Sequence, residues 1–309
     1  MLIPSPAMHS FSILIEAENL SSGPANLRAC LKSLVRQTVP LSRAERVVLI
    51  DRGDLGRDLR AELKRRYDWL TVTQVDPGTR YGGMKNRSSA LAESEILLLA
   101  DCDCRYPPDW LEWILEPFAD PDVQIVGGET TTPIRGPYSL AIALTFVFPR
   151  FSRDQALTPS ATYWANNVAV RRTLLEILPV PDPACLYRGQ NIVHSKGAAD
   201  LGVTIWRQPQ ARVQHALPTL SELPARYLRL GQDSVNIRRL SRWSGGGVYR
   251  GDMAPDMRTG GRLVKLLGRV RAVRSDDGGR CLLYLPLAAP VLLLCAVFYH
   301  LGRWLAARQ

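Results

Sequence analysis

Ile96-Leu97-Leu98-Leu99-Ala100-Asp101-Cys102-Asp103-Cys104-Arg105-Tyr106-Pro107-Pro108-Asp109-Trp110 passes from an unbroken apolar run into four potential metal ligands and then two prolines. A short apolar run of this kind fits a strand buried on both faces, as in a parallel sheet. The acidic pair stands where that strand ends. Two carboxylates one residue apart can hold a hard divalent ion, which prefers oxygen and readily keeps phosphates in its shell. Structural zinc needs four nitrogen or sulfur ligands, and Cys102 and Cys104 have no second pair nearby. Alternation turns Asp101 and Asp103 one way and the thiols toward the core, as small apolar groups. The plain alternative for an isolated Asp-x-Asp is a loop-capping pair.

The residues ahead of this stretch repeat its logic. Phe11 to Ile15, Val47 to Ile50 and Leu70 to Val75 are further apolar runs of strand type. Between them, Leu27, Leu31, Leu34 and Val35 recur at helical spacing after Ser22-Gly23-Pro24. Leu55 to Arg66 and Met84 to Glu93 read as two more helices, with Gly78 to Gly83 a loop. Apolar strands alternating with helices imply an α/β fold, a mostly parallel sheet with helices on both faces. Ligands in such sheets gather at the carboxyl ends of the strands. Asp51 and the Asp101 to Asp103 segment both lie there. No GxGxxG follows the first strand and no GxxxxGK[ST] occurs, so dinucleotide and P-loop readings lack their phosphate cradles.

The chain of 309 residues is 46% hydrophobic, enough for one large or two modest cores, and its formal charge of +10 calls for an anionic partner. The six scattered cysteines form no CxxC pair, which argues for a reducing compartment. Met1 to Ser10 lack the basic-then-apolar pattern of a secretory signal. The charge is concentrated toward the C-terminal end. Leu263, Leu266, Leu267, Val270 and Val273 recur at helical spacing with Arg and Lys between them, the pattern of an amphipathic helix on an anionic bilayer. A solvated basic helix packed on its own domain is the alternative. Cys281 to Tyr299 then runs without a charge, about the length that crosses a membrane or enters it as a re-entrant segment. A buried core helix is the competing reading, but Pro286 and Pro290 are better tolerated in a membrane segment. The basic flank places the domain before it on the cytoplasmic side and removes the main support for nucleic acid as the partner.

Taken in order, the motifs resemble the family 2 glycosyltransferases of the GT-A fold, a Rossmann-like architecture, over roughly residues 11 to 220. Ser12 to Asn19 is similar to that family's opening strand. Leu31-x-Ser33-Leu34-x-x-Gln37-Thr38-x-Pro40 resembles its first helix and exit, and Val48 to Gly53 its strand leading to paired aspartates. Lys85-Asn86-Arg87-Ser88 is similar to the Arg-Asn-x-Gly helix start. Leu98 to Trp110 resembles the Leu-Asp-x-Asp segment with its Pro-Pro-x-Trp-Leu continuation. Gly127-Gly128, Asn166-Asn167-x-Ala169-x-Arg171-Arg172 and Val213-x-His215 complete the order.

The resemblance implies inverting transfer from a nucleotide-sugar donor with Mg²⁺ or Mn²⁺. It sets Ala17, Glu18, Asp51, Lys85 and Asp101 at the donor, with Asp51 near the base. Asp103, Asp101 and His215 fall at the metal, and Trp164, Asn166 and Asn167 at the acceptor or sugar. Arg87 is an alternative to Lys85, and a turn role is an alternative for the two asparagines. The implied acceptor is a lipid or saccharide presented at an anionic membrane surface, as in cell envelope polysaccharide synthesis.

The likeness breaks at three places. Where the family has a Glu-Asp pair whose Asp is the general base, this chain has Gln190-Asn191. An amide cannot accept that proton at neutral pH, though it keeps the shape and much of the hydrogen bonding of the acid. Arg52 replaces the second acid after the second strand, and Glu16 and Glu18 replace a Pro and an aromatic residue. Asp182, His194, Asp200 and Asp233 are possible substitute bases. A second reading follows, a degenerate domain that binds nucleotide sugar or glycan without turnover. A third, nucleotidyl transfer, lacks its Gly-rich Arg/Lys loop. The expected organisation is a catalytic domain over 1–220, an extension over 221–255, a basic interfacial segment over 256–280 and a membrane segment over 281–302.

Overall fold

The computed structural model describes residues 9–18, 23–145, 148–243, 262–277 and 279–309. Part of the expected extension and interfacial segment, 244–261, lies outside these residues, as do Met1 to Met8 and the side chains of Leu263 and Leu266.

Four strands form the front of the sheet: β1 (Phe11–Glu16), β2 (Arg46–Asp51), β3 (Leu70–Gln74) and β4 (Ile96–Asp101). All are parallel, in the order β3-β2-β1-β4. The period of two along β1 divides its side chains between the faces. Phe11, Ile13 and Ile15 join one core with Leu27, Leu31 and Leu34 of α1 (Pro24–Leu34), Leu63 of α2 (Arg57–Arg66) and Trp110 and Ile114 of α4 (Trp110–Leu115). Leu14 joins another with Tyr81 and Met84 of α3 (Tyr81–Leu91). Pro24 opens α1, where its missing N–H costs nothing. The segment expected as a loop over 78–83 turns helical at Tyr81.

Beyond β4 the sheet becomes mixed, so the expectation of a mostly parallel sheet describes its front half. The order continues β4-β8-β6-β9-β5, with β6 (Ile125–Thr131), β8 (Asn167–Arg171), β9 (Ile205–His215) and the two-residue β5 (Cys104–Arg105); β7 (Thr158–Ser160) also pairs with β9. β8 runs antiparallel to both β4 and β6, while β6 and β9 are parallel with a register shift at Gly128/Glu129. Gly128 is required there: a Cβ would lie 2.1 Å from the Ala211 carbonyl and 2.4 Å from the Asn167 amide. Helices α6 (Arg172–Ile177) and α7 (Gln190–Asp200) cover the α3 face.

The C-terminal helices α8 (Leu223–Trp243), α9 (Arg262–Asp277) and α10 (Leu285–Arg308) gather around α5 (Pro137–Leu144). Val273 of α9 and Ala288 of α10 pack on Leu140 and Leu144, and Leu223 and Tyr227 of α8 pack with Ile142 and Cys295. The basic helix is thus partly docked on its own chain. Arg269 is buried and donates to the carbonyls of Ala143 and Phe148, whereas Leu267, Arg271 and Arg274 are exposed.

Candidate active site

β4 ends at Asp101, the chain turns through Cys102 and Asp103, and β5 carries it back beside β9. This places two neighbouring aspartates in different surroundings. Asp101 lies on the α3 face, where Lys85 Nζ donates to its Oδ1 at 2.6 Å and to the Ala100 carbonyl at 2.9 Å. Both members of the pair are buried. The Tyr81 hydroxyl approaches the same carboxylate at 3.3 Å. Burial opposes ionisation of Asp101, but Lys85, by charge and hydrogen bond, outweighs it and holds the carboxyl below its usual range.

Asp103 faces the other strand. Cys104 pairs with His215 in the ladder, and the Asp103 carbonyl accepts from the N–H of Ala216. The His215 ring therefore comes to Asp103, with Nε2 3.3 Å from Oδ2, both side chains buried. His215 Nδ1 lies 2.6 Å from the Ala216 carbonyl and donates to it, which leaves Nε2 directed at the Asp103 carboxylate. A proton on Nε2 joins the two groups as an ion pair, and a divalent metal ion can take its place. The spacing suits one: ligands at right angles, each about 2.1 Å from an ion such as Mg²⁺, lie about 3 Å apart. Phe148 packs on the His215 ring, with centroids 4.7 Å apart.

Among the described residues, the potential ligand atoms that converge are those of Asp103, Cys104 and His215. Burial, then the charge of Asp103, pushes the Cys104 thiol well above the usual range. Cys102 and Cys104 lie in the apolar core with Cys30, as alternation predicts.

The remaining expected residues divide into reachable and committed ones. Glu18 is half-buried and pairs with Arg52 at 3.4 Å and with Arg188. Arg188 also lies 4.1 Å over the Tyr81 ring. Together these residues span the crevice at the ends of β1 and β4. Arg188 is the residue the sequence reading missed, and its one signal is its place just before Gly189-Gln190-Asn191.

Glu16 sits inward of them. Burial and then the Asp101 charge raise its pKa well above the usual range, and its Oε1 has no hydrogen-bond partner. Asp51 is fully buried and used by its own turn, accepting from the N–H groups of Gly53 and Leu55 and from Arg60. Ala17 is buried and donates its N–H to Ile50.

On the acceptor side, Trp164 is half-buried against Phe148, with centroids 5.1 Å apart. Asn166 accepts from Thr130. Asn167 is wholly internal, accepting from Trp110 Nε1 at 2.8 Å and donating to the Glu129 and Ala211 carbonyls. It locks β8, β6, β9 and α4 together and has no polar atom left for a sugar.

Asn191 donates from Nδ2 to the Tyr163 carbonyl at 2.6 Å. An ionised carboxylate in the same rotamer would face that oxygen without a proton to donate. The suggested substitute bases have other duties. His194 bonds Tyr163 and the Leu178 carbonyl in a buried site, and burial lowers its pKa. Asp182 pairs with Arg80, and Asp200 with Lys196. Asp233, on α8, accepts from the N–H groups of Tyr187 and Arg188 at 2.7 Å each and so holds the segment that carries Arg188.

A curled mixed sheet with this crevice at the carboxyl ends of its first strands is the GT-A architecture of glycosyltransferases. Residues 12–178 match the model of glycosyl transferase family 2, and the chain belongs to that family. No curated protein matches it in sequence.

Solved structures share the fold. The mannosyltransferase PcManGT from Pyrobaculum calidifontis, in complex with GDP-Man and Mn²⁺, aligns at TM-score 0.56 and 16% identity over 99% of this chain and 88% of its own. GalNAc-T7 with UDP, GalNAc and Mn²⁺ aligns at 0.56 and 16% over 69% of this chain and 45% of its own, so the chain spans about half of that protein. TarS 1–349 of S. aureus aligns at 0.51 and 17% over 88% of this chain and 73% of its own.

Proposed function

We propose that the chain transfers a sugar from a nucleoside-diphosphate donor to a lipid- or membrane-presented saccharide, with Asp103 and His215 holding Mg²⁺ or Mn²⁺ at the donor diphosphate. The observation that carries the reading is the convergence of two metal-ligand atoms, Asp103 Oδ2 and His215 Nε2, 3.3 Å apart at the end of β4. When bound, the ion supplies Lewis-acid assistance by offsetting charge on the leaving group. Arg188, at the mouth of the crevice, is placed to meet the same developing charge by leaving Glu18. Lys85 acts indirectly, keeping Asp101 ionised and fixed. Mn²⁺ in complexes of two structures of the same fold, one with GDP-Man and one with UDP, supports the assignment.

Calorimetry with UDP-, GDP- and dTDP-sugars, with and without Mn²⁺, tests it. Mn²⁺-dependent binding of one donor that is lost in Asp103→Ala supports the site; equal binding in that variant overturns it. The committed Asn191 amide favours a second reading, binding without turnover. Saturable donor binding with no sugar transfer or donor hydrolysis distinguishes it.

A further inference from the structure

We propose that α10 lies in the plane of one leaflet of an anionic membrane rather than crossing it, and that α8 couples this seat to the segment carrying Arg188. The inference deepens the membrane part of the proposed function and does not depend on sugar transfer.

The exposed face of α10 is apolar from end to end. Pro286, Pro290, Leu293, Val297, Leu301 and Trp304 follow one another at steps of three and four residues, one stripe about 27 Å long at 1.5 Å per residue. By length and composition alone this helix could cross a bilayer. The opposite stripe forbids it. Ala288, Cys295, Gly302 and Ala306 are buried, and the contact with α8 is backbone to backbone. A Cβ on Gly302 would lie 1.9 Å from the Leu228 carbonyl, and one on Gly231 would lie 2.1 Å from the Tyr299 carbonyl.

α8 cannot follow α10 into hydrocarbon, because it carries Arg226, Arg229, Asp233, Asn236, Arg238 and Arg239. Nor can it stay behind while α10 departs. Asp233 holds the N–H groups of Tyr187 and Arg188, and Asn236 donates to the Cys185 carbonyl. α10 is therefore fixed to a polar helix that is itself fixed to the crevice. An in-plane position satisfies both sides, with the apolar stripe among acyl chains and α8 above the headgroups.

Charge selects the lipid. Residues 262–309 hold eight Lys or Arg against two acids, Asp276 and Asp277, and Arg271, Arg274, Arg280 and Arg308 are exposed. Arg308 lies 3.7 Å over the Trp304 ring. A second copy would bring two basic rims together, whereas an anionic surface complements one.

The test adds the full chain, tagged after Gln309, to preformed vesicles of phosphatidylcholine alone or with phosphatidylglycerol. The expected result is flotation with the anionic vesicles, only partly reversed by salt, with the tag open to protease added outside. Leu293→Asp with Val297→Asp should lower vesicle affinity at least about tenfold. Arg271→Glu with Arg274→Glu should do so about tenfold on anionic vesicles alone; this second variant keeps the test valid if the first does not fold. A tag protected inside the vesicles, or in cells on the face opposite the catalytic domain, overturns the in-plane seat. So does dimerisation with no vesicle binding. Donor calorimetry on the same preparation separates the two proposals, since failed donor binding leaves the flotation result standing.

Discussion

Asp101 and Asp103 are two residues apart and live under opposite electrostatic conditions. Asp101 has the buried Lys85 ammonium at 2.6 Å, while Asp103 has the His215 imidazole at 3.3 Å. One carboxylate is held by a permanent cation and the other by a ring that can exchange its proton for a metal ion. The two members of the Asp-x-Asp motif thus have different partners here. The first ties α3 to the sheet through Lys85, and the second lies beside His215.

The contrast can be broken by experiment, beginning where the effect is largest. Lys85→Ala strands a buried carboxylate, which typically costs about 3–5 kcal/mol, and chemical denaturation should show it. A loss under about 1 kcal/mol would mean that Asp101 reaches solvent or a metal instead. Asp103→Asn and His215→Gln should cost much less stability than Lys85→Ala while reducing Mn²⁺-dependent donor affinity at least about 10-fold, read by calorimetry. If either variant instead unfolds the chain, the two residues are structural.

Asp233→Ala removes two hydrogen bonds to a carboxylate, worth about 1.5–3 kcal/mol each at most. As a positioning residue it should raise the KM for donor more than it lowers kcat, because the backbone under Arg188 loosens; Asp233→Asn should recover part of the loss. The smallest effect belongs to Glu16. Its pKa is raised above 4.5 in the folded state, so the fold is favoured by its protonated form and loses stability as pH rises from there toward the shifted value. Glu16→Gln should flatten the decline in Tm over that range and match wild type below it. Asp101, whose pKa is lowered from 3.8, acts oppositely, its contribution fading only as pH falls below that value.

The same distinction explains Asn191. Where the family pattern has an acid, the Tyr163 carbonyl 2.6 Å away demands a donor. Asn191→Asp should therefore give no gain in transfer and some loss of stability. A gain would show that the loop around Tyr163 readjusts and that only the base was missing.

What could be read before folding was whatever depends on neighbours in the chain. The apolar runs at 11–15, 47–50 and 96–100 became buried strands, because a mostly apolar run satisfies itself best inside a covered sheet, while the more polar 70–74 forms the partly exposed edge strand β3. The inward thiols of Cys102 and Cys104 followed from the period of two. Asn167 misled because its motif marks a segment and does not say which way an amide points; it serves Trp110, 57 positions away.

Arg188 was invisible for a similar reason. Its partner Glu18 is 170 residues distant, and pairing at that separation is decided by tertiary packing alone. α10 shows the division most plainly. Its composition establishes an apolar helix of membrane length, a property of consecutive residues. Which of its faces stays exposed depends on what its other face touches, and that was decided only when Gly302 met the backbone of a charged helix tied to the crevice. Local sequence settles which residues shun water, and tertiary contact settles which of their faces remain to be covered.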